Sequence, residues 1–305
     1  MHFARTEEQD ELATTVRGLL AKRSDSGAVR AAVETEDGYD TALWASLCEQ
    51  IGVAALAVPE EYDGFGASLV ETAVVLEELG RFLTPTPLLA TALSTAQLLL
   101  DGSEDDRSEI LPRLAAGEVL PFALGRVVLE PTEATESMDS TLRLAVTDEP
   151  AEISAEIAAI STALSSALQV GAMQRALDMT VQYAGERVQF GRPIGSFQAL
   201  KHRMADMLVL CEASRSASWG ATAAAAAYLA DPGAGTGERL LHLAAVAGSY
   251  CSDALDKVAG EAVQLHGGIA ITWEHDIQLV FKRAHALSQL NGQAHQHRAR
   301  VLPAR

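Results

Sequence analysis

The stretch from residue 119 to 150 constrains the fold more than any other part of this chain. "VLPFALGRVVLEPTEATESMDSTLRLAVTDEP" holds two short runs of β-forming residues, at 125–129 and 141–147, set among polar residues and prolines. On both sides of it the hydrophobic spacing is helical. An eight-stranded barrel needs about 60–80 residues, at roughly 5–6 per strand plus turns, so this segment has room only for a hairpin or a small meander. The sequence predicts a mainly α protein: an N-terminal helical domain over 1–118, a much reduced middle β segment over 119–150, and a C-terminal helical domain over 151–305.

The flanking helices announce themselves by period and by cap. "TEEQDELATTVRGLLAKR" opens with Thr6 as an N-cap, places acids in the first turn, and sets Leu12, Val16, Leu19 and Leu20 on one face. "YDTALWASLCEQIGVAAL" repeats the pattern. "VPEEYDGFGAS" breaks it with Pro59, Gly64 and Gly66, and Pro85 and Pro87 separate "LVETAVVLEELGRFL" from "LLATALSTAQLLLDG". Beyond 150 the helical segments are punctuated at 191–195, 231–237 and 267–268. The alanines of 221–227 suit a close-packed helix face, alanine being the best helix former.

Charge and cysteine content narrow the function. Among 305 residues, 41 acids against 23 bases give a net charge of −18, which repels a phosphate backbone, so neither nucleic acid nor an anionic membrane is an expected partner. Cys48, Cys211 and Cys251 are far apart and form no metal-binding or disulfide pattern. The N-terminus carries acids where a signal peptide needs an apolar run, and no stretch approaches the ~20 apolar residues of a membrane span. A soluble, cytoplasmic protein is expected.

The most informative string is "YAGERVQFGRPIGSFQALKHRMADM". It ends one long helix near 187–190, turns through "GRPIG", and begins another for which Ser196 is the expected cap. Arg187, Arg192, Lys201 and Arg203 gather positive charge in an acidic protein, with Gln198 beside them. Guanidinium forks and a helix N-terminus both suit phosphate. The plainer reading is a helical hairpin with solvated arginines.

This string resembles the "ER-x-x-FG-x-x-I-x-x-x-Q" signature of the acyl-CoA dehydrogenases. "TEEQDEL" and "VPEEYDGFGAS" resemble the N-terminal helices of the same family, and "AVQLHGGIAITWEHDIQLVFKRA" its penultimate helix and the loop after it. The resemblance implies an acyl-CoA dehydrogenase-like fold whose C-terminal domain is a four-helix bundle. It also implies FAD as cofactor. Arg187, Phe190 and Gln198 would hold the adenosine and pyrophosphate of a flavin shared with a neighbouring subunit, and Gln264, Gly267 and Gly268 would make further flavin contacts. The family's middle barrel, with its "TEP-x-x-GS" loop, has only a weak echo here in "LEPTEATES".

The resemblance also marks two vacancies. An ungapped register from Lys282 puts Asn291 where the family carries its catalytic glutamate, with Gly292 retained and Gln293 in place of a threonine; the alternative base position of a minority of the family falls on Ser161. Neither residue takes a proton at neutral pH. His295 and His297, two apart, cannot form an i, i+4 metal pair and are expected on a solvated helix end. His285 is the one candidate for a replacement base, and His266 is a candidate cofactor contact; Trp273 and Glu274 are as consistent with loop packing as with binding. No catalytic residue and no metal site is expected in this chain.

The implied function is a non-catalytic partner subunit in a heteromeric, α2β2 acyl-CoA dehydrogenase of the actinobacterial steroid-catabolic kind. Its catalytic partner would carry the glutamate, its substrates would be bulky acyl-CoA thioesters, and electron-transfer flavoprotein would be the usual acceptor. Two alternatives remain: a self-sufficient homo-oligomer with an unusual base, and a flavin-free scaffold on the same fold.

Overall fold

In the computed structural model, which describes residues 5–131, 133 and 137–301, helices account for most of the chain. Six precede the β segment: α1 (Glu7–Arg23), α2 (Ser26–Val33), α3 (Thr41–Gln50), α4 (Leu69–Phe82), α5 (Leu88–Asp101) and α6 (Glu104–Ala115). Thr6 caps α1 as expected. Its hydroxyl accepts from the Gln9 N–H, and the Gln9 side chain returns to the Thr6 N–H, a reciprocal capping box. Val16 and Leu20 are fully buried on the predicted face.

Where two β runs were expected, the described residues form three short strands. β1 (Phe122–Leu124), β2 (Val127–Leu129) and β3 (Leu144–Val146) make an antiparallel meander, with Leu124 opposite Val127 and Val128 opposite Ala145. β2 and β3 fall within the two expected runs, whereas β1 lies ahead of the first, joined to it where Gly125, at φ 60°, turns the chain. Thr132 and residues 134–136 of the "LEPTEATES" stretch lie outside the described residues. The meander is pinned to the C-terminal helices by a buried ion pair, Arg283 Nε to Asp139 Oδ2 at 2.7 Å, with Thr141 also accepting from the guanidinium.

The C-terminal helices are α7 (Ala155–Glu186), α8 (Gln198–Ala230), α9 (Ala234–His266), α10 (Ile277–Leu290) and α11 (Ala294–Val301); between α7 and α8 lies a small hairpin of β4 (Val188–Gln189) and β5 (Arg192–Pro193). α7 is buried nearly all round from Ile157 to Met173, which makes it the central helix of the bundle. It also joins the two helical regions into one core, because α4 crosses it at glycine-to-glycine distance. A Cβ on Gly171 would stand 2.0 Å from the Glu77 carbonyl oxygen, and one on Gly80 2.4 Å from that of Leu168. No described helix is long and apolar enough to cross a membrane.

Candidate functional site

The basic turn between α7 and α8 is built around a strained hairpin. Phe190 and Gly191 form its two-residue tip, with φ 52° and 76°. Positive φ at both positions is what a mirror-image turn needs to follow the twist of its strands, and asparagine or glycine usually supplies it. A phenylalanine there is disfavoured by its Cβ and ring, yet Phe190 is held 92% exposed. Its ring packs edge-to-face with Phe197, centroids 6.2 Å apart, and the Arg192 guanidinium covers Phe197 at 4.0 Å.

Of the four expected cations, Arg187 and Lys201 are exposed, Arg192 is spent on Phe197, and Arg203 is paired with Glu261 on α9 at 2.5 Å. Ser196 does not cap α8. Its hydroxyl turns back to the Pro193 carbonyl, and Phe197 stands at the cap position without a side-chain bond, because a 3₁₀ turn over Ile194–Ser196 starts the helix one residue later than its composition suggests. Gln198, exposed in the first turn, keeps its amide 2.8 Å from His202.

The second motif lies at the same end of the bundle. Tyr183, one turn before Arg187, stacks on His266, one residue before Gly267, with centroids 4.6 Å apart. Gly267 has φ 68° and ψ −147°, a region open essentially to glycine alone, and nothing stands within 4 Å of where its Cβ would be. Gln264, Gly267 and Gly268 are all exposed. His266 is not: at 3% exposure it lies beneath the glycines, its Nδ1 2.8 Å from the Ala262 carbonyl and its ring 4.7 Å from His275. Burial lowers the pKa of both imidazoles and so favours their neutral forms. Val188, Phe190, Ile269, Ile271 and Trp273 stand exposed on these two motifs, an apolar concentration that soluble proteins usually cover with a partner or ligand.

The residues expected at the two base positions meet far from that end. Ser161 on α7 donates to the Asn291 side-chain carbonyl at 2.7 Å, and the Asn291 amide donates to Ser165 at 2.9 Å. Two serines one helical turn apart thus enclose the asparagine, with Ser161 and Ser165 both buried. The chemistry assembled is two hydroxyls and an amide, which can hold position but cannot remove a proton from carbon.

The histidines divide differently from expectation. His295 is exposed, but His297 is 2% exposed, because α11 folds back onto α9 and seats the ring against Gly248, where a Cβ would come within 2.8 Å of it. Burial and the nearby Arg300 lower its pKa against the backbone groups of Gly292 and Asn291 that raise it. His285 is exposed on α10, near enough to Asp256 to oppose the rise that burial causes in that carboxylate's pKa. Ser165 was not anticipated from the sequence. The signal was present: Ser161, Ser165 and Gln169 recur every four residues along one face of α7, and Gln169 also finds a buried partner, Ser252 at 3.1 Å.

Comparison with known proteins matches both helical regions. A model of "Acyl-CoA dehydrogenase, N-terminal domain" matches residues 6–118, and one of "Acyl-CoA dehydrogenase, C-terminal domain" matches residues 157–303. The acyl-CoA dehydrogenase IpdE2 of Mycolicibacterium smegmatis is 43% identical over 94% of this chain and 95% of its own. IpdE2 of Mycobacterium tuberculosis is also 43% identical, over 93% of each. Among solved structures, the Tcur3481–Tcur3483 steroid ACAD G363A variant shares the fold with a TM-score of 0.82 at 24% identity, covering 97% of this chain and 96% of that one. The ChsE4–ChsE5 complex from Mycobacterium tuberculosis shares it at 0.80 and 23% identity, with both chains fully covered.

Proposed function

Because this chain belongs to the acyl-CoA dehydrogenase family, we propose that it is the base-lacking subunit of a heteromeric enzyme that desaturates acyl-CoA thioesters, with bulky, steroid-derived acyl groups as its substrates. The observation that carries this reading is the closed trio of Ser161, Asn291 and Ser165. A neutral amide held by two hydroxyls fills the place where the family's register puts a carboxylate. His285, exposed beside Asp256, gives the self-sufficient alternative no buried base. Two fold neighbours bear the names of two-component assemblies.

The residues at the other end of α7 fit a flavin dinucleotide lying between subunits. Arg187 and the exposed first turn of α8 suit its pyrophosphate. Gly267 and Gly268 leave open space over their backbone for close approach. FAD, when bound, supplies the acceptor for the hydride that leaves the β-carbon. This chain would grip the cofactor's anionic part with Arg187 and Gln198 and shield it with Phe190 and Ile271, while the proton at the α-carbon goes to a carboxylate of the partner subunit.

The test is co-expression with a glutamate-bearing homologue. The chain purified alone should retain little flavin, and the pair should form a yellow complex of equal stoichiometry. Removing the glutamate from the partner should cut turnover by about 10²–10⁴-fold, the usual contribution of a general base. Tight flavin binding and full turnover by the lone chain would overturn the proposal.

A further inference from the structure

The glycine loop between α9 and α10 is anchored at one carboxylate that the motifs of the sequence do not single out. Asp276 closes the loop, and its Oδ1 accepts from Ser26 and, at 2.9 Å, from Arg30 Nη2, both on α2. Its Oδ2 faces Arg175 on α7 at 3.6 Å, and the carboxylate itself is 12% exposed. One anion therefore serves two guanidiniums. Arg30 Nη1 and Arg175 Nε are buried with no hydrogen-bond partner among the described residues, as is the neighbouring Gln278 amide nitrogen. Glu274 also lies near Arg30, but Asp276 is the acid whose oxygens face both guanidiniums, so neutralising it leaves two clustered cations without the charge that joins them.

The rest of the loop depends on the same point. Arg30 also lies 5.1 Å from the Trp273 ring, and Lys282 Nζ lies 4.9 Å from the same ring. His275, adjacent to the carboxylate, reaches back to the His266–Tyr183 stack, and its Nδ1 accepts the Ile277 N–H. The loop is thus fixed at its start by an aromatic stack and at its end by a charge clasp, with the exposed glycines strung between.

We infer that Asp276 is a positioning residue: by clasping the loop to α2 and α7 it holds Gly267 and Gly268 in the geometry that retains flavin, without touching the flavin itself. This rests on the flavin reading given above. It also assigns the N-terminal helices a part in cofactor retention that does not require a barrel.

The test uses the flavin-loaded complex with Asp276→Asn and, should that variant fold poorly, Arg30→Gln, which removes only the α2 side of the clasp. Arg17→Gln serves as control; it breaks an ion pair with the buried Glu78, between α1 and α4, that involves none of the clasp residues. Both clasp variants should speed hydrogen exchange at amides 267–272 and weaken flavin binding about ten-fold, the scale of one charge-assisted hydrogen bond, while the control does neither. Unchanged loop exchange, or a loosened loop that keeps its flavin, would overturn the inference. Gly267→Ala separates the two claims. If it leaves flavin affinity intact, the flavin reading itself falls and takes this inference with it; if it weakens flavin while Asp276→Asn does not, only the clasp is wrong.

Discussion

The two ends of α7 make opposite use of their residues. Near its start, the buried Ser161 and Ser165 hold the half-buried Asn291 in a neutral, hydrogen-bonded cluster. About 39 Å further along the helix, at 1.5 Å per residue, Arg187 opens a turn that is exposed, basic and strained, with Phe190 held at positive φ. A free-standing domain has every reason to bury an aromatic and satisfy a base-like site with charge; this one does the reverse at both places. The closed end has the properties of structure and the open end those of a surface waiting to be covered. On the proposed function, that contrast would separate gripping a cofactor from performing the proton chemistry beside it.

The contrast is most exposed to failure at its open end. Arg187→Ala should lower flavin affinity in the complex about ten-fold or more, because a guanidinium on a pyrophosphate makes charge-assisted hydrogen bonds worth ~1.5–3 kcal/mol each. The thermal midpoint of the lone chain should hardly move, since Arg187 is exposed. Flavin titration of the intact complex decides it, and an unaltered affinity would make Arg187 an ordinary solvated side chain.

At the closed end the expected response is the mirror image. Asn291→Ala strands the hydroxyls of Ser161 and Ser165, both buried, at a cost of about 1–3 kcal/mol of stability. Turnover per flavin in the complex should stay nearly constant, since the amide takes no proton. Denaturant unfolding reads the first effect and steady-state kinetics the second. A loss of rate on the 10²–10⁴ scale of a general base, with flavin content intact, would place catalysis in this chain after all.

How much of this was legible in the sequence follows from the range of the interactions. Thr6, the loop at Pro59–Gly66 and the shortness of the β segment depend on local preference, and the fold agrees with them. The start of α8 does not: Ser196 is a good cap by composition, but the preceding 3₁₀ turn directs its hydroxyl to Pro193 instead. His297 looked solvated because its neighbours in sequence, His295 and Arg298, are polar, whereas its burial depends on Gly248 some fifty residues earlier. Asp139 with Arg283, and Asp276 with Arg30, are contacts between distant segments that no periodicity reports. The meeting of Ser161 with Asn291 lies between these cases. The register of a family motif named both residues, but only the tertiary structure shows that they bond to each other.

Phe190 offers the finest test of the contrast, because relieving its strain should move two properties in opposite directions. A bulky residue at φ 52° is disfavoured on steric grounds, and its 92% exposed ring has little packing to offset that cost. Glycine adopts the same backbone freely and is the usual choice in a two-residue turn. Phe190→Gly should therefore leave the lone chain as stable as before or more so, by up to about 1 kcal/mol, the lower end of what such a strained residue costs. If the ring is there to be covered by a neighbouring subunit or its flavin, the same change should weaken assembly of the complex by a few-fold, since an aromatic side chain buries 150–250 Å² when enclosed. Parallel measurement of the unfolding midpoint and the complex dissociation constant distinguishes the cases. A chain that gains stability while losing its partner confirms that strain at this tip serves the interface; one that loses both shows that Phe190 supports the hairpin through Phe197, and the open end of α7 is then more like the closed one than its exposure suggests.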